Sequence, residues 1–428
     1  MLRGPRTLRG PTTLRGPRMI SAMADPAAEL VSIADVRAAR EVLRGVAIET
    51  PIQGSRLLSG LAGGPVHLKL ENLQRTGSFK TRGAYVRLSR LTPTQRAAGV
   101  VAASAGNHAQ GVALSAQLLG MSATVFMPEG APIPKVNATR GYGAEVIFHG
   151  QYLEQALDAA REFSAQTGAV FIHPFDHADI VAGQGTCGLE VLEQVPDVKT
   201  VLVPCGGAGL LAGMAIAIKS QRPEVRVIGV QAAGAAAFPA SLAAGRPVPL
   251  ETMNTMADGI AVGRPGDITF TAVQRYVDDI ITVSEESLAR ALLALVERAK
   301  QVVEPAGAAA FAAILDEPTA YPTPAVAVLS GGNIDPLLLG KVIRFGMASA
   351  GRYLRLGVYI PDVPGGLATL LTDLAQAGAN VLEVEHERIS PALHLDEVEV
   401  RLQLETRGPT HTDELMAMLH TRGYRLVR

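Results

Sequence analysis

The chain has 428 residues, of which 48% are hydrophobic and 18% charged, and its formal net charge is −1. This composition excludes a disordered protein and, at this length, favours a folded chain of two or three domains. The near-zero charge gives no support to a nucleic-acid or membrane-surface partner, and no apolar run reaches the roughly 20 residues that span a bilayer. The only cysteines are Cys187 and Cys205, which excludes a disulfide scaffold and predicts a cytoplasmic location.

The N-terminal segment 1–22 differs from the rest of the chain. Leu-Arg-Gly-Pro recurs at 2–5, 8–11 and 14–17, and the segment contains no acidic residue. It lacks the apolar core of a signal peptide, so we interpret it as a disordered tail rich in Arg, Gly and Pro. An anion-binding arm is the functional alternative.

From residue 66 onward, short β-branched runs alternate with helical stretches. The predicted strands are 66–70, 100–103, 123–127, 145–148, 170–172, 200–204, 225–230 and 325–329. Apolar strands that alternate with helices predict an α/β fold with mostly parallel sheets covered on both faces. In such sheets, ligands bind beyond the carboxyl ends of the strands.

The pattern changes near residue 350. Strands are predicted at 355–361, 380–388, 394–405 and 424–427, and helices at 365–377 and 412–422. This β-α-β-β-α-β order predicts a separate ferredoxin-like domain.

The most informative segment is 76–84, which reads Thr-Gly-Ser-Phe-Lys-Thr-Arg-Gly-Ala. It places Lys80 at the predicted start of a helix, with Ser78 available as its cap. A lysine that is shielded from water can bond covalently to an aldehyde cofactor. Because an isolated lysine is more often a solvated surface residue, this interpretation depends on the other motifs.

Three further loops follow predicted strands: Ser104-Ala105-Gly106-Asn107-His108, Cys205-Gly206-Gly207-Ala208-Gly209 and Ser330-Gly331-Gly332-Asn333. The first can offer helix N–H groups to a carboxylate, the second can cradle a phosphate, and the third presents a hydroxyl. Each alone is also an ordinary capped turn. The segment 207–212 additionally fits a G-x-G-x-x-A dinucleotide fingerprint, but the next strand ends in Gln231 without the acidic residue that such a site needs.

Together, the order and spacing of these four motifs resemble the fold type II pyridoxal-phosphate enzymes, and among them the threonine dehydratase (threonine ammonia-lyase) family, from about residue 25 to 428. The resemblance implies a catalytic domain over 23–348 with two open, mostly parallel α/β subdomains, the smaller at roughly 95–175. It implies that the ferredoxin-like region 349–428 is a regulatory ACT domain. Pyridoxal 5'-phosphate is the implied cofactor, and a homodimer or homotetramer is the implied assembly.

The resemblance also implies roles for individual residues. Lys80 would hold the cofactor and act as the catalytic base, Phe79 would lie against the cofactor ring, and Ser330 would face its pyridine nitrogen. Asn107 would bond the phenolic oxygen. The remaining implied contacts are a phosphate site at Gly206, Gly207, Ala208 and Gly209 and a substrate-carboxylate site at Ser104, Ala105, Gly106, Asn107 and His108. Ala208 replaces a usual glycine, and its methyl group is expected to fit only if φ is negative.

The implied reaction converts L-threonine to 2-oxobutanoate and ammonia, with L-serine to pyruvate as a side activity. Alternatives are a serine racemase or serine dehydratase of the same fold and a catalytically silent amino-acid sensor. Racemases of this type carry a second serine where this chain has Ala105, which cannot transfer a proton. Relatives that bind a divalent metal carry carboxylates just after the strand that ends at Val230, and segment 231–237 carries none, so no Mg²⁺ or Ca²⁺ site is expected. A monovalent cation held by backbone carbonyls is the alternative. An amino-acid effector is expected at Asp362, Pro364 and Gly365.

Overall fold

A computed structural model describes residues 31–388 and 396–427, so the predicted tail 1–22 and the first two residues of the strand predicted over 394–405 lie outside the described part of the chain. The α-helices are α1 (Ile33–Val42), α2 (Arg56–Ala62), α3 (Lys80–Ser89), α4 (Pro93–Ala98), α5 (Asn107–Leu119), α6 (Ile133–Gly141), α7 (Leu153–Thr167), α8 (Ala178–Gln194), α9 (Gly209–Lys219), α10 (Ala237–Ala244), α11 (Asp267–Tyr276), α12 (Glu285–Ala294), α13 (Pro305–Asp316), α14 (Pro336–Ser349), α15 (Gly366–Gln376) and α16 (Pro409–Thr421). Short 3₁₀ helices span Glu71–Leu73, Arg75–Gly77, Ala233–Ala235 and Asp258–Ile260, and a π-helical turn spans Leu295–Ala299. The strands are β1 (Ile52–Gly54), β2 (Val66–Lys69), β3 (Val100–Ala103), β4 (Ala123–Met127), β5 (Glu145–Phe148), β6 (Val170–Phe171), β7 (Thr200–Pro204), β8 (Arg226–Ala232), β9 (Asp279–Val283), β10 (Ala325–Val328), β11 (Tyr353–Pro361), β12 (Asn380–Glu387), β13 (Glu397–Glu405) and β14 (Arg425–Leu426).

The larger sheet has six strands in the order β1-β2-β10-β7-β8-β9, and only β1 pairs antiparallel. Its central strands are buried on both faces: in β7, Leu202 packs into one hydrophobic cluster, whereas Val201 and Val203 pack into another. Helices must therefore cover both faces, as the continuous apolar runs predict. The two strands that sequence patterns missed, β1 and β9, lie at the sheet edges.

The smaller sheet has four parallel strands in the order β5-β4-β3-β6. Its strands all fall between Val100 and Phe171. The C-terminal sheet is antiparallel, with the order β12-β13-β11-β14. Both predictions, parallel α/β sheets and a ferredoxin-like element order, are confirmed. Helix α16 begins at Pro409, earlier than the predicted 412, because proline is well suited to the first turn of a helix.

A buried network of two basic and two acidic side chains fixes α3. Arg82 donates to Glu71 at 2.8 Å and to Glu190 at 2.5 Å, and Lys69 donates to Glu190 at 2.6 Å. Although burial alone would raise the pKa of Glu71, the Arg82 guanidinium holds it below its ordinary value. The charges cancel, and Arg82 ties the first turn of α3 to the 3₁₀ helix Glu71–Leu73 and to α8.

We expect Glu190→Ala to lower the free energy of unfolding by about 3–5 kcal/mol, because it leaves two buried cations short of a carboxylate. The matched control is Glu193→Ala on the same helix, where Glu193 pairs with Arg40 and their side chains are 50% and 38% exposed. This exposed pair is expected to contribute less than about 1 kcal/mol. Urea unfolding followed by circular dichroism measures both; equal losses would contradict the assignment.

Candidate active site

Lys80 is the first residue of α3. Its Nζ donates to the carbonyl oxygen of Pro174 at 2.8 Å and lies 5.2 Å from the centroid of the Phe79 ring. Burial lowers the pKa of Lys80 to about 8, and the nearby Glu304 carboxylate opposes that shift. A larger share of the amine is therefore neutral near physiological pH, which is the form that attacks a carbonyl group.

The predicted cap of α3 is wrong. Phe79 occupies the N-cap position in a helical conformation, and no side chain caps the helix. Ser78 instead pairs through its backbone with Gly331, and its Oγ is buried without a hydrogen-bond partner among the described residues. An unsatisfied buried hydroxyl costs about 1–3 kcal/mol, so this group fits a polar ligand atom beside Lys80.

Loops from three elements meet at Asn107, the first residue of α5. Its Nδ2 donates to Glu304 Oε1 at 2.5 Å, and its Oδ1 accepts from Asn333 Nδ2 at 2.8 Å. Glu304 is the N-cap residue of α13, as its sequence position suggests. Burial raises its pKa to about 7, with Asp258 adding to the shift. The loop after β10 also contacts the start of α3, because the Phe79 amide donates to the Ser330 carbonyl oxygen at 3.2 Å.

The glycine loop between β7 and α9 is shaped by close backbone contacts. A Cβ on Gly207 would lie 2.4 Å from the Phe175 ring, and one on Gly206 would lie 2.9 Å from the Ile260 Cα. Ala208 has φ of 67°, so the expectation of a negative φ is wrong. The left-handed conformation costs an alanine about 1–2 kcal/mol. A left-handed residue directly before α9 belongs to the backbone pattern of an anion-binding nest, in which successive N–H groups can point to one side.

The Ser104–His108 turn joins β3 to α5. Ser104 Oγ accepts from the Gly106 amide at 3.1 Å, and the Ala105 side chain in the same turn is a methyl group. His108 is buried, with Nε2 2.8 Å from the Ile172 carbonyl oxygen. Because a carbonyl only accepts, Nε2 carries the proton. Burial and the nearby Lys80 charge lower the pKa of His108 to about 3, so it is a neutral hydrogen-bonding group.

The structure therefore brings Phe79, Lys80, Asn107 and Ser330 together. The segment after β6 connects the glycine loop with this group. The Pro174 carbonyl accepts a hydrogen bond from Lys80, and the ring of the adjacent Phe175 packs against Gly207. Sequence patterns did not predict this role. This segment follows β6 without helical or strand periodicity. The predicted effector residues, Asp362, Pro364 and Gly365, are not part of this site, because they lie in the loop between β11 and α15 of the C-terminal region. Burial raises the pKa of Cys205 far above its ordinary value, so its thiol is inert there.

A comparison with protein families shows to which family this chain belongs. The family described as "Pyridoxal-phosphate dependent enzyme" matches residues 43–331. The chain belongs to this family. Residues that hold its cofactor are therefore expected where a reactive amine and an anion nest occur together, as they do here.

One relative extends the match beyond the residues that the family model covers. An L-threonine ammonia-lyase of Thermotoga maritima is 45% identical over 395 residues, which cover 92% of this chain and 98% of that protein. The solved structure of a T.th. threonine deaminase has a TM-score of 0.68 and 44% identity, covering 71% of this chain and 99% of that one. Maize serine racemase has a TM-score of 0.70 and 34% identity, covering 73% and 96%. The predicted fold type II architecture is confirmed.

The residues present fit pyridoxal phosphate. Lys80 supplies an amine of lowered pKa, the nest at Ala208 suits a phosphate, and Ser78 holds an unpartnered buried hydroxyl. Within the described ranges, no three His, Cys, Asp or Glu side chains cluster as a metal site. No helix in those ranges is long and apolar enough to cross a membrane.

We expect cofactor uptake by the apoprotein to depend on the protonation of Lys80. The Lys80 amine attacks only when neutral, so the uptake rate should rise with pH, reach half of its plateau near pH 8, where its pKa lies, and level off above that pH. Stopped-flow absorption after mixing with pyridoxal phosphate measures this rate. A rise that continues toward pH 10.5, the ordinary pKa of a lysine, would show that the amine is solvated instead.

Proposed function

We propose that this chain converts L-threonine to 2-oxobutanoate and ammonia and L-serine, more slowly, to pyruvate. The observation that supports the proposal most is the enclosed Lys80 amine beside an anion nest, in a chain 45% identical to an L-threonine ammonia-lyase over 98% of that protein. We further propose a catalytic domain over 23–348, with a smaller subdomain at roughly 95–175, and a regulatory ACT domain over 349–428.

In this proposal Lys80 would hold the cofactor until the amine of the substrate displaces it, and the freed Nζ would then accept the α-proton of the substrate. Bound pyridoxal phosphate supplies an electron sink that makes this proton acidic. A pKa of about 8 suits a general base at neutral pH. The histidines do not compete for this role, since burial lowers the pKa of His108 to about 3 and that of His173 to about 4.

The other predicted residues orient the reacting groups. We propose that Phe79 packs against the cofactor ring, that Asn107 bonds its phenolic oxygen and that Ser330 faces its pyridine nitrogen. Ser330 is buried and neutral, so it does not stabilise a protonated ring nitrogen, which suits elimination better than transamination. The phosphate site is proposed at Gly206, Gly207, Ala208 and Gly209, and the substrate-carboxylate site at Ser104, Ala105, Gly106, Asn107 and His108.

The overall reaction is balanced without an external oxidant. Loss of the α-proton and the β-hydroxyl removes water from L-threonine, and water then replaces the amine to release ammonia. Ala105 favours this outcome over racemisation, because its methyl group cannot return a proton to the opposite face.

We expect purified holoenzyme to form 2-oxobutanoate from L-threonine, and Lys80→Ala to reduce that rate by at least about 100-fold, because the variant lacks the proton acceptor. Lys80→Arg is the control that keeps the charge without a base near neutral pH. Coupled 2-oxo acid assays on L-threonine and L-serine measure both. Undiminished turnover in either variant, or D-amino-acid formation without 2-oxo acid in the wild type, would contradict the proposal.

We propose that a separate cavity in the C-terminal region is the regulatory pocket. A cavity of about 400 Å³ lies where β11 runs into α15, beside Asp362, Gly365 and Arg388. Arg388 donates to Asp362 at 3.2 Å, and the two side chains are exposed enough to exchange this partner for a ligand. We propose that Asp362 binds the ammonium group of an amino-acid effector and that N–H groups after Pro364 and Gly365 bind its carboxylate.

Occupation of this pocket by isoleucine is expected to raise the thermal midpoint of the wild-type enzyme and to alter its rate, whereas Asp362→Ala should lose both responses and keep the basal rate. Differential scanning fluorimetry against the standard amino acids, followed by the 2-oxo acid assay, measures this. If Asp362→Ala responds like the wild type, Asp362 does not bind the effector; if the wild type itself shows no response, the domain serves oligomer contact rather than sensing.

We propose a cytoplasmic homodimer or homotetramer. Both cysteines are free and buried, as in a reducing compartment. Helix α14 supports self-association, because Leu337 is 80% exposed and Phe345 is also exposed.

A further inference from the structure

Lys135 lies beside the turn that leads into α5, although no sequence motif singled it out. It belongs to the first turn of α6, and its Nζ pairs with Asp258 Oδ2 at 2.9 Å. The Lys135 side chain is only 12% exposed, whereas that of Asp258 is 61% exposed. The ammonium group therefore links α6, which follows β4 of the smaller sheet, to the 3₁₀ helix Asp258–Ile260, and the lysine side chain is mostly shielded from solvent.

The space in front of Gly106 is open except for this ammonium group. A Cβ placed on Gly106 would have Lys135 Nζ as its only neighbour within 4.0 Å among the described residues. Gly106 precedes Asn107, the first residue of α5, so its side of the turn also carries the positive end of the helix dipole. The Lys135 ammonium group and the N-terminus of α5 therefore lie beside the same open space at Gly106.

Lys135 also acts electrostatically on the Lys80 site. It lowers the pKa of Glu304, which burial and Asp258 raise, and Glu304 contacts Asn107 at 2.5 Å. Asp258 is followed by Gly259, where a Cβ would lie 3.7 Å from Glu304 Oε1. Lys135, Asp258 and Glu304 therefore interact electrostatically, and Asn107 is hydrogen-bonded to Glu304.

We propose that Lys135 binds the α-carboxylate of the amino-acid substrate at Gly106 and so determines specificity for a free amino acid. The inference rests on the proposed function. An ammonium group has three donors, so Lys135 can keep Asp258 as a partner while it binds the substrate. Asp258 acts as a positioning residue that holds the cation toward Gly106.

The test compares Lys135→Met, which keeps the length of the side chain and removes its charge, with the wild-type holoenzyme. A charge-assisted hydrogen bond contributes enough that KM for L-threonine should rise about 10- to 100-fold while kcat stays within about 3-fold. Lys135→Arg should recover most of the affinity. The matched control is Lys219→Met, since Lys219 pairs with Asp278 at 2.7 Å, is 13% exposed and lies at the end of α9, and it should leave KM unchanged.

A binding measurement separates recognition from a structural role. Glycine lacks a leaving group, so its equilibrium binding can be titrated through the cofactor absorption band, and glycinamide lacks the carboxylate. Lys135→Met should weaken glycine binding about 10- to 100-fold and leave glycinamide binding unchanged. Equal weakening of both ligands, or an unchanged KM, would overturn the inference. If the wild type binds glycine but forms no 2-oxo acid from L-threonine or L-serine, the result counts against the proposed function.

Discussion

The whole site depends on keeping one primary amine largely away from water. Desolvation lowers the pKa of Lys80 to about 8, and that shift exists only while α3 starts where it does. Arg82, two residues further along α3, is tied to Glu71 and Glu190 in a buried, charge-balanced network. The fold therefore uses buried ion pairs to position a residue whose chemistry requires burial. Removing one partner of such a buried ion pair would lower the free energy of unfolding by far more than the pair itself contributes. The start of α3 is therefore held firmly in place.

Around this amine, the two parallel sheets contribute loops of different character. The turn after β3 and the cation of Lys135 belong to the smaller sheet and its helices, and the anion nest at Ala208 follows β7 of the larger one. Asn107 bonds to Glu304 and Asn333, so it joins the two halves. A substrate that bridges these loops would link the sheets, and the charges of Lys135 and Glu304 would be part of that link.

Local patterns predicted most of this arrangement. The apolar runs predicted the parallel strands, and the loop motifs placed Lys80, Asn107 and Ser330 at strand ends, where parallel topology brings loops together. The predictions that failed concern residues whose conformation depends on tertiary contacts. Ser78 was expected to cap α3, but its backbone pairs with Gly331. Ala208 was expected to avoid positive φ, yet its φ is 67°. No sequence pattern indicated Lys135, because its proposed role depends on Gly106 and Asp258, which are far from it along the chain.

The central claim is that Lys80, and no other lysine, carries the cofactor. Borohydride reduction of the holoenzyme followed by peptide mapping tests it most directly, because reduction fixes a pyridoxyl group on the lysine that holds it. The account predicts that the added mass lies on the peptide containing Lys80. A label on Lys135 or another lysine, or no label on protein that retains its visible absorption, would contradict it.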